Sequence, residues 1–189
     1  MSTKKRIVVF ISGFLTPPNW VSYPSSVPDD VHMISVYPSP TGSVHDRACQ
    51  VFYELVGGTV DFGAAHSAYH GHNQYGATYA VGKYPQWSAE CPIQVVGHSF
   101  GGLTAWVLQN YLAEKRFAGY DTNEQWITSV IAVNCPFNAS IKVHEKGLHL
   151  TMPPVVRWCS QGYLIGLFVN ILEYLNSSFL RRIIDMDKG

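Results

Sequence analysis

The sequence predicts an α/β fold, a mainly parallel sheet with helices on both faces, and three observations predict it. Short β-branched runs alternate with amphipathic stretches, those runs are apolar without interruption, and 189 residues at 47% hydrophobic can bury one full core. No repeat, low-complexity tract or linker divides the chain, so one domain over residues 1–189 is expected.

The elements follow in order. Ile7–Ser12, "IVVFIS", and Ile34–Tyr37 after Val31-His32-Met33 read as buried strands bounded by turn residues, with a proline-rich loop between them. Val44–Leu55 has apolar residues at 44, 48, 51, 52 and 55, the spacing of an amphipathic helix, and Gly57-Gly58 stops it. Thr59–Lys83 is rich in Gly, His and Tyr with little periodicity, so it reads as mostly loop with room for a short helix. Ile93–Gly97 is the next strand, Gly102–Lys115 the next helix with Gly119 beyond its end, and Trp126–Asn134 a further strand. Past Asn134 the chain reads as loop, then as a long apolar helical region from Val155 to Ile184 with no later strand.

Composition excludes several classes of function. Lys plus Arg and Asp plus Glu both count 13, the net charge is zero, and the short basic cluster Lys4-Lys5-Arg6 is terminal, so nucleic acid is not an expected partner. The four cysteines lie far apart with no CxxC pair, which favours core or free thiols over a disulfide framework or a thiolate metal site. The apolar run after Lys4-Lys5-Arg6 lacks a small-residue cleavage site and reads as a strand, not a signal peptide. "GYLIGLFVNILEYL", interrupted by Asn170 and Glu173, is too short for a confident membrane span, so the default expectation is a cytoplasmic chain.

Gly97-His98-Ser99-Phe100-Gly101 fits G-x-S-x-G, with a strand before it and a helix after it. In that turn the serine is a strained nucleophile, and glycines two positions either side remove side chains that would meet neighbouring backbone. The helix N-terminus aims free N–H groups at the oxyanion formed when serine attacks a carbonyl. "ISGFLTPP" follows the first strand, where the fold places its second donor, so Phe14 and Phe100 are the expected oxyanion pair.

"GAAHSAYHGHNQYG" packs His66, His70 and His72 into seven residues, and Asp46 precedes them on the Val44 helix. Imidazoles and a carboxylate are zinc ligands, and three or four drawn from a helix and a loop can make a closed structural site or an open catalytic one.

"DRACQVFYELVGGTVDFGAAHSAYHGHNQYGATYA", followed by "PIQVVGHSFGGLTAWVLQ", resembles the zinc-binding triacylglycerol lipases of thermophilic and staphylococcal bacteria and their plant and protist relatives. The likeness runs from about Ser12 to Pro136 and is densest from Asp46 to Tyr79. It implies an α/β-hydrolase domain that cleaves acylglycerol esters with a Ser-Asp-His triad, and a structural zinc site of two Asp and two His. Carried over by position, it puts the nucleophile on Ser99, the oxyanion donors on Phe14 and Phe100, and three zinc ligands on Asp46, His66 and His72. His70 matches a family position that is not a ligand. Phe100 departs from the glutamine usual in thermophilic members, which leaves the N–H in place but changes the acyl pocket.

In the family the triad acid, the triad histidine and the fourth zinc ligand lie well beyond the serine. After Ser99 the histidines here are His144 and His149, and the carboxylates are Glu114, Asp121, Glu124, Glu145, Glu173, Asp185 and Asp187. The resemblance therefore implies the N-terminal half of a hydrolase domain, truncated before its last strands, with a zinc-site insertion at 44–83 and lid-like helices at 150–185. The apolar face of 155–184, stripped of its partner half, predicts self-association or contact with a lipid interface. Three functions follow: a lipase-like serine hydrolase, a catalytically incompetent zinc-binding or lipid-associating fragment, or an esterase acting on small acyl groups.

Overall fold

The computed structural model describes residues 5–16, 27–138, 140–149 and 155–178. Two compact units divide the chain, Met1–Phe137 and Asn138–Gly189.

In the first unit, β1 (Arg6–Ile11), β2 (Val31–Val36), β5 (Ile93–His98) and β6 (Ile127–Val133) form a parallel sheet in the order β2-β1-β5-β6. Parallel neighbours need crossovers, and the amphipathic segments supply them as α1 (Val44–Val56) and α3 (Phe100–Ala113). Ile7, Val9 and Ile11 of β1, Ile34 and Val36 of β2, and Ile93 and Val95 of β5 are buried, whereas alternate residues are only half-buried. Burial thus alternates along β1, β2 and β5, which the uninterrupted apolar runs did not foretell. Ala48, Val51, Phe52 and Leu55 of α1 and Ala105, Leu108 and Leu112 of α3 complete the core.

Phe52 sits at the centre of an aromatic cluster, stacked on Phe117 with ring centroids 3.7 Å apart and set against Trp87 and Tyr120 at 5.8 and 4.9 Å. Phe52→Ala is expected to cost about 3–5 kcal/mol, since the rigid rings around it cannot collapse into the void. Urea unfolding followed by tryptophan fluorescence measures it, and an unchanged midpoint would contradict the packing.

The segment expected as mostly loop, Thr59–Lys83, carries a hairpin of β3 (Gly58–Asp61) and β4 (Tyr75–Tyr79) around α2 (Ala64–His70). Its outward pairs are polar, with Thr59 and Thr78 hydroxyls 2.8 Å apart, so no apolar period marks the strands. The helix after the serine begins at Phe100, two residues earlier than its apolar pattern suggested.

In the second unit, α4 (Ile141–Glu145) and β7 (Leu148–His149) occupy what the sequence suggested was loop, and β8 (Val155–Val156), antiparallel to β7, takes the first residues of the expected helical region, where no later strand was foreseen. The long helix is α5 (Gln161–Ser178), with Leu164, Leu167, Phe168 and Ile171 exposed along it. The expected helical residues 179–185 lie outside the described ones. No helix among the described residues is long and apolar enough to cross a membrane.

Candidate active site

Ser99 stands between the last residue of β5 and the first of α3, with φ 52° and ψ −121°. A non-glycine residue in that conformation stores about 1–3 kcal/mol of strain and persists only where its surroundings dictate it. They do so here. The Ser99 N–H donates to the Val133 carbonyl at 2.8 Å, and the Ser99 carbonyl accepts from the Gly102 N–H at 3.1 Å.

A side chain at Gly97 would stand 2.5 Å from the Gly101 carbonyl, and one at Gly101 would stand 2.2 Å from the Ile11 carbonyl. Both obstacles are backbone, which cannot step aside. Gly101→Ala is therefore expected to destabilise the first unit by about 2–4 kcal/mol, because β1 and α3 must move apart. The same urea titration checks it, and a wild-type midpoint would show that the contact is not tight.

The loop after β1 passes against the nucleophile. A Cβ at Gly13 would lie 3.0 Å from Ser99 Cβ, so the next residue, Phe14, enters the elbow's immediate surroundings. The Phe14 and Phe100 rings meet edge to face at 6.5 Å. Phe100 is the first residue of α3, where a helix leaves its N–H groups without intrahelical acceptors. The structure brings Ser99, Phe14 and Phe100 together as a group.

Behind this group lies Arg47, fully buried on α1. Its guanidinium donates to the Ser12 and Ser39 carbonyls and, at 3.2 Å, to Thr104 Oγ1, and it lies 5.6 Å from the Phe100 ring centroid. Burial pushes its pKa down to about 10, which leaves it protonated at neutral pH. Nothing in the sequence singled this arginine out.

No described residue accepts a hydrogen bond from Ser99 Oγ. Glu114 caps the far end of α3, about 20 Å along the helix from Ser99, and pairs there with Arg116 at 2.5 Å. Asp121 pairs with Lys115 at 2.6 Å. In the second unit, His144 Nδ1 lies 3.3 Å from the Leu148 carbonyl, and His149 is exposed on β7.

The second cluster assembles around Asp46. Ser43 caps α1, its Oγ accepting from the Asp46 N–H at 3.1 Å and donating to Asp46 Oδ2 at 2.7 Å, so Oδ1 faces outward. His66 Nε2 lies 3.1 Å from Asp46 Oδ1 and His72 Nε2 lies 3.7 Å from it. Tetrahedral zinc at about 2.0–2.1 Å from its ligands sets neighbouring donor atoms about 3.3 Å apart, which the Asp46–His66 and Asp46–His72 separations each approach, although among the described residues the group whose ligand atoms all lie within 4.8 Å of one another is His45, Asp46 and His66. His72 Nδ1 lies 2.9 Å from the Asn73 carbonyl, which holds the proton on Nδ1 and frees Nε2 as a ligand. Burial, and then the neighbouring His45, hold the His66 pKa below its ordinary value despite Asp46, keeping the ring in its ligating neutral form.

His45, which the sequence left unmarked, also comes within ligand distance of Asp46 and His66. Both of its nitrogens are already engaged, Nδ1 with Tyr111 Oη and Nε2 with the Phe62 carbonyl, each at 2.8 Å. It stacks on His66 at 3.7 Å and serves as a floor for that ring. The signal for it was its place beside Asp46 in one helical turn. His70 is exposed, its ring 4.4 Å from His66, and no contact joins it to Asp46.

Ser99 stands at the start of α3, whereas His45, beside this cluster, bonds to Tyr111 in the last turn of that helix, at its opposite end. A cleft of about 420 Å³ opens on that side between His45, Asp61, Tyr111 and Arg116, and not at Ser99. Cys49 lines it, but burial pushes its thiol up to about 12, so it is no nucleophile.

A parallel sheet with a strand, a strained serine and a helix in sequence defines an α/β-hydrolase-type fold. Residues 29–119 match the family model described as "Lipase-like, C-terminal domain". The chain is 38% identical over 125 residues to Lipase 2 of Staphylococcus aureus, an alignment covering 57% of this chain and 18% of that protein. The crystal structure of Staphylococcus hyicus lipase superposes with a TM-score of 0.59 at 27% identity, covering 74% of this chain and 43% of that one. Lipase 1 from Pelosinus fermentans gives a TM-score of 0.59 at 26% identity, covering 76% and 44%. The chain is thus similar to bacterial lipases over its matched residues, and it spans less than half the length of these relatives.

Proposed function

We propose that this chain is a lipase-like serine hydrolase acting on carboxylic esters of the acylglycerol class, with a structural zinc site. The observation that carries the reading is the Ser99 elbow, a strained backbone held by close glycine contacts with the Phe14 loop laid against it. Relatives named lipases support an ester of a lipid as the substrate.

Ser99 Oγ attacks the ester carbonyl carbon while its proton passes to a base. The carbonyl π pair moves to oxygen, where the Phe14 and Phe100 N–H groups receive the negative charge. Collapse of the tetrahedral species breaks the bond to the alkoxy oxygen, which leaves as an alcohol carrying the proton. Water then attacks the acyl-serine and releases the acid. The fold places its triad histidine after the last strand, and His144 and His149, the histidines that follow Ser99 in this sequence, would act as the base only if recruited from outside that position.

Asp46, His66 and His72 would hold the zinc. The ion would cross-link α1 to the segment around α2, and no step of hydrolysis uses it, since the cluster stands far along α3 from Ser99.

A second reading, a zinc-binding or lipid-associating chain without turnover, is favoured by the unpartnered Ser99 Oγ among the described residues. A fluorophosphonate ester probe separates the two. Labelling of wild type that Ser99→Ala abolishes supports the hydrolase, and its loss in His144→Ala or His149→Ala identifies the base; a folded wild-type chain that takes no label supports the second reading.

A further inference from the structure

The most unusual charge in the first unit is Arg47. It is completely buried, no described carboxylate pairs with it, and its bonds go to three neutral oxygens. A buried cation without a counter-ion costs several kcal/mol of desolvation, which neutral oxygens offset only in part. A methionine of similar length would fill the space without that cost, so the charge needs another reason to be there.

Its partners supply one. The Ser12 carbonyl belongs to the peptide that leads through Gly13 into Phe14, so the guanidinium holds the loop carrying one oxyanion donor. Thr104 Oγ1 accepts from Arg47 Nε and in turn donates to the Phe100 carbonyl at 3.0 Å, a relay that ends on the residue carrying the other donor. The same guanidinium lies over the Phe100 ring, whose edge-to-face partner is Phe14. The Ser39 carbonyl ties the clamp to the loop after β2, and the Leu15 N–H donates to Pro40 there at 3.0 Å, with Leu15 held at φ 50°. One side chain thus joins the Phe14 loop, the loop after β2 and the start of α3.

We infer that Arg47 is the positioning residue of the oxyanion site, clamping the Ser12–Phe14 loop to the first turn of α3 and adding a buried positive charge behind the developing oxyanion. This rests on the reading of Ser99 as nucleophile. In a low-dielectric setting a fixed cation a few residues from the oxyanion acts without reorganisation, and the two N–H donors gain from being held before the charge forms.

The test compares Arg47→Met and Arg47→Lys with wild type in the full-length chain, well below the melting temperature. With p-nitrophenyl butyrate, Arg47→Met is expected to lower kcat about 100-fold with KM within about threefold, and Arg47→Lys, which keeps the charge but loses the planar fork, to recover about tenfold of that loss. Amide hydrogen exchange should quicken at least about tenfold at residues 12–16 and 99–101 in Arg47→Met, and stay at its wild-type rate in the β3–β4 hairpin. Wild-type kcat in Arg47→Met, or unaltered exchange in both segments, overturns the inference, whereas a lowered melting point alone speaks only for packing. If wild type neither turns over the ester nor takes a fluorophosphonate label, the nucleophile reading fails, and the exchange measurement still decides whether Arg47 holds the two segments.

Discussion

Ser99→Gly is expected to abolish ester hydrolysis and to stabilise the first unit by about 1 kcal/mol. The two effects have one cause. At φ 52° and ψ −121° serine occupies a conformation that a Cβ disfavours, whereas glycine enters it freely. Glycine loses more chain entropy on folding, about 0.5–1 kcal/mol, which removes part of the gain. Activity falls because the nucleophile is gone, and loss of a triad-type nucleophile leaves only the residual catalysis of the oxyanion donors, a drop of about a millionfold in kcat. Urea unfolding and p-nitrophenyl butyrate hydrolysis measured on one preparation check both. A destabilised Ser99→Gly chain would mean that the elbow is not strained, and full activity would remove Ser99 from the mechanism.

Removal of zinc from the proposed site at Asp46, His66 and His72 is the second large effect expected. At a free concentration about a thousandfold above its Kd, an ion bound only by the native state stabilises it by about 4 kcal/mol. For a domain of this size each kcal/mol shifts the melting temperature by about 2–4 °C, so a strong chelator is expected to lower it by roughly 10 °C. His72→Ala should reproduce the loss and reduce bound zinc in elemental analysis, and chelator should then shift the mutant little. The segment around α2 gives structural grounds for an effect of this size, because α2 buries only Ser67, and the proposed ion would add a cross-link to α1 beside the buried Val60 and the His45–Phe62 hydrogen bond. Equal zinc content and equal melting with and without chelator would overturn the site.

Much of this was legible before any coordinates. The apolar spacing of Val44–Leu55 predicted α1 to within one residue at its C-terminus, since a helix repeats its buried face every three to four positions. The elbow was legible because its demands are local, glycines two positions either side of one serine. Asp46, His66 and His72 were legible as ligand types on a helix and a short segment, and in the structure His66 and His72 each lie near Asp46, at 3.1 and 3.7 Å. The β3–β4 hairpin was not, because its strands are largely exposed and signal neither alternation nor a continuous apolar run. His45 was passed over because its meaning lies in a stack on His66 and a bond to Tyr111, sixty-six positions away.

Arg47 marks the boundary most clearly. In the sequence it is a charged residue in a helical turn, which ordinarily means a solvated face, yet it is among the most buried side chains of the molecule. By itself the sequence determined the α/β order of elements, the serine turn and the types of residue able to hold zinc, because backbone preference, hydrophobic period and ligand chemistry are carried by neighbouring residues. Only the tertiary structure decided that carbonyls from Ser12 and Ser39 and a hydroxyl from Thr104 would meet around one guanidinium, because each oxygen comes from a different segment and their meeting place exists only once the sheet and α1 have packed.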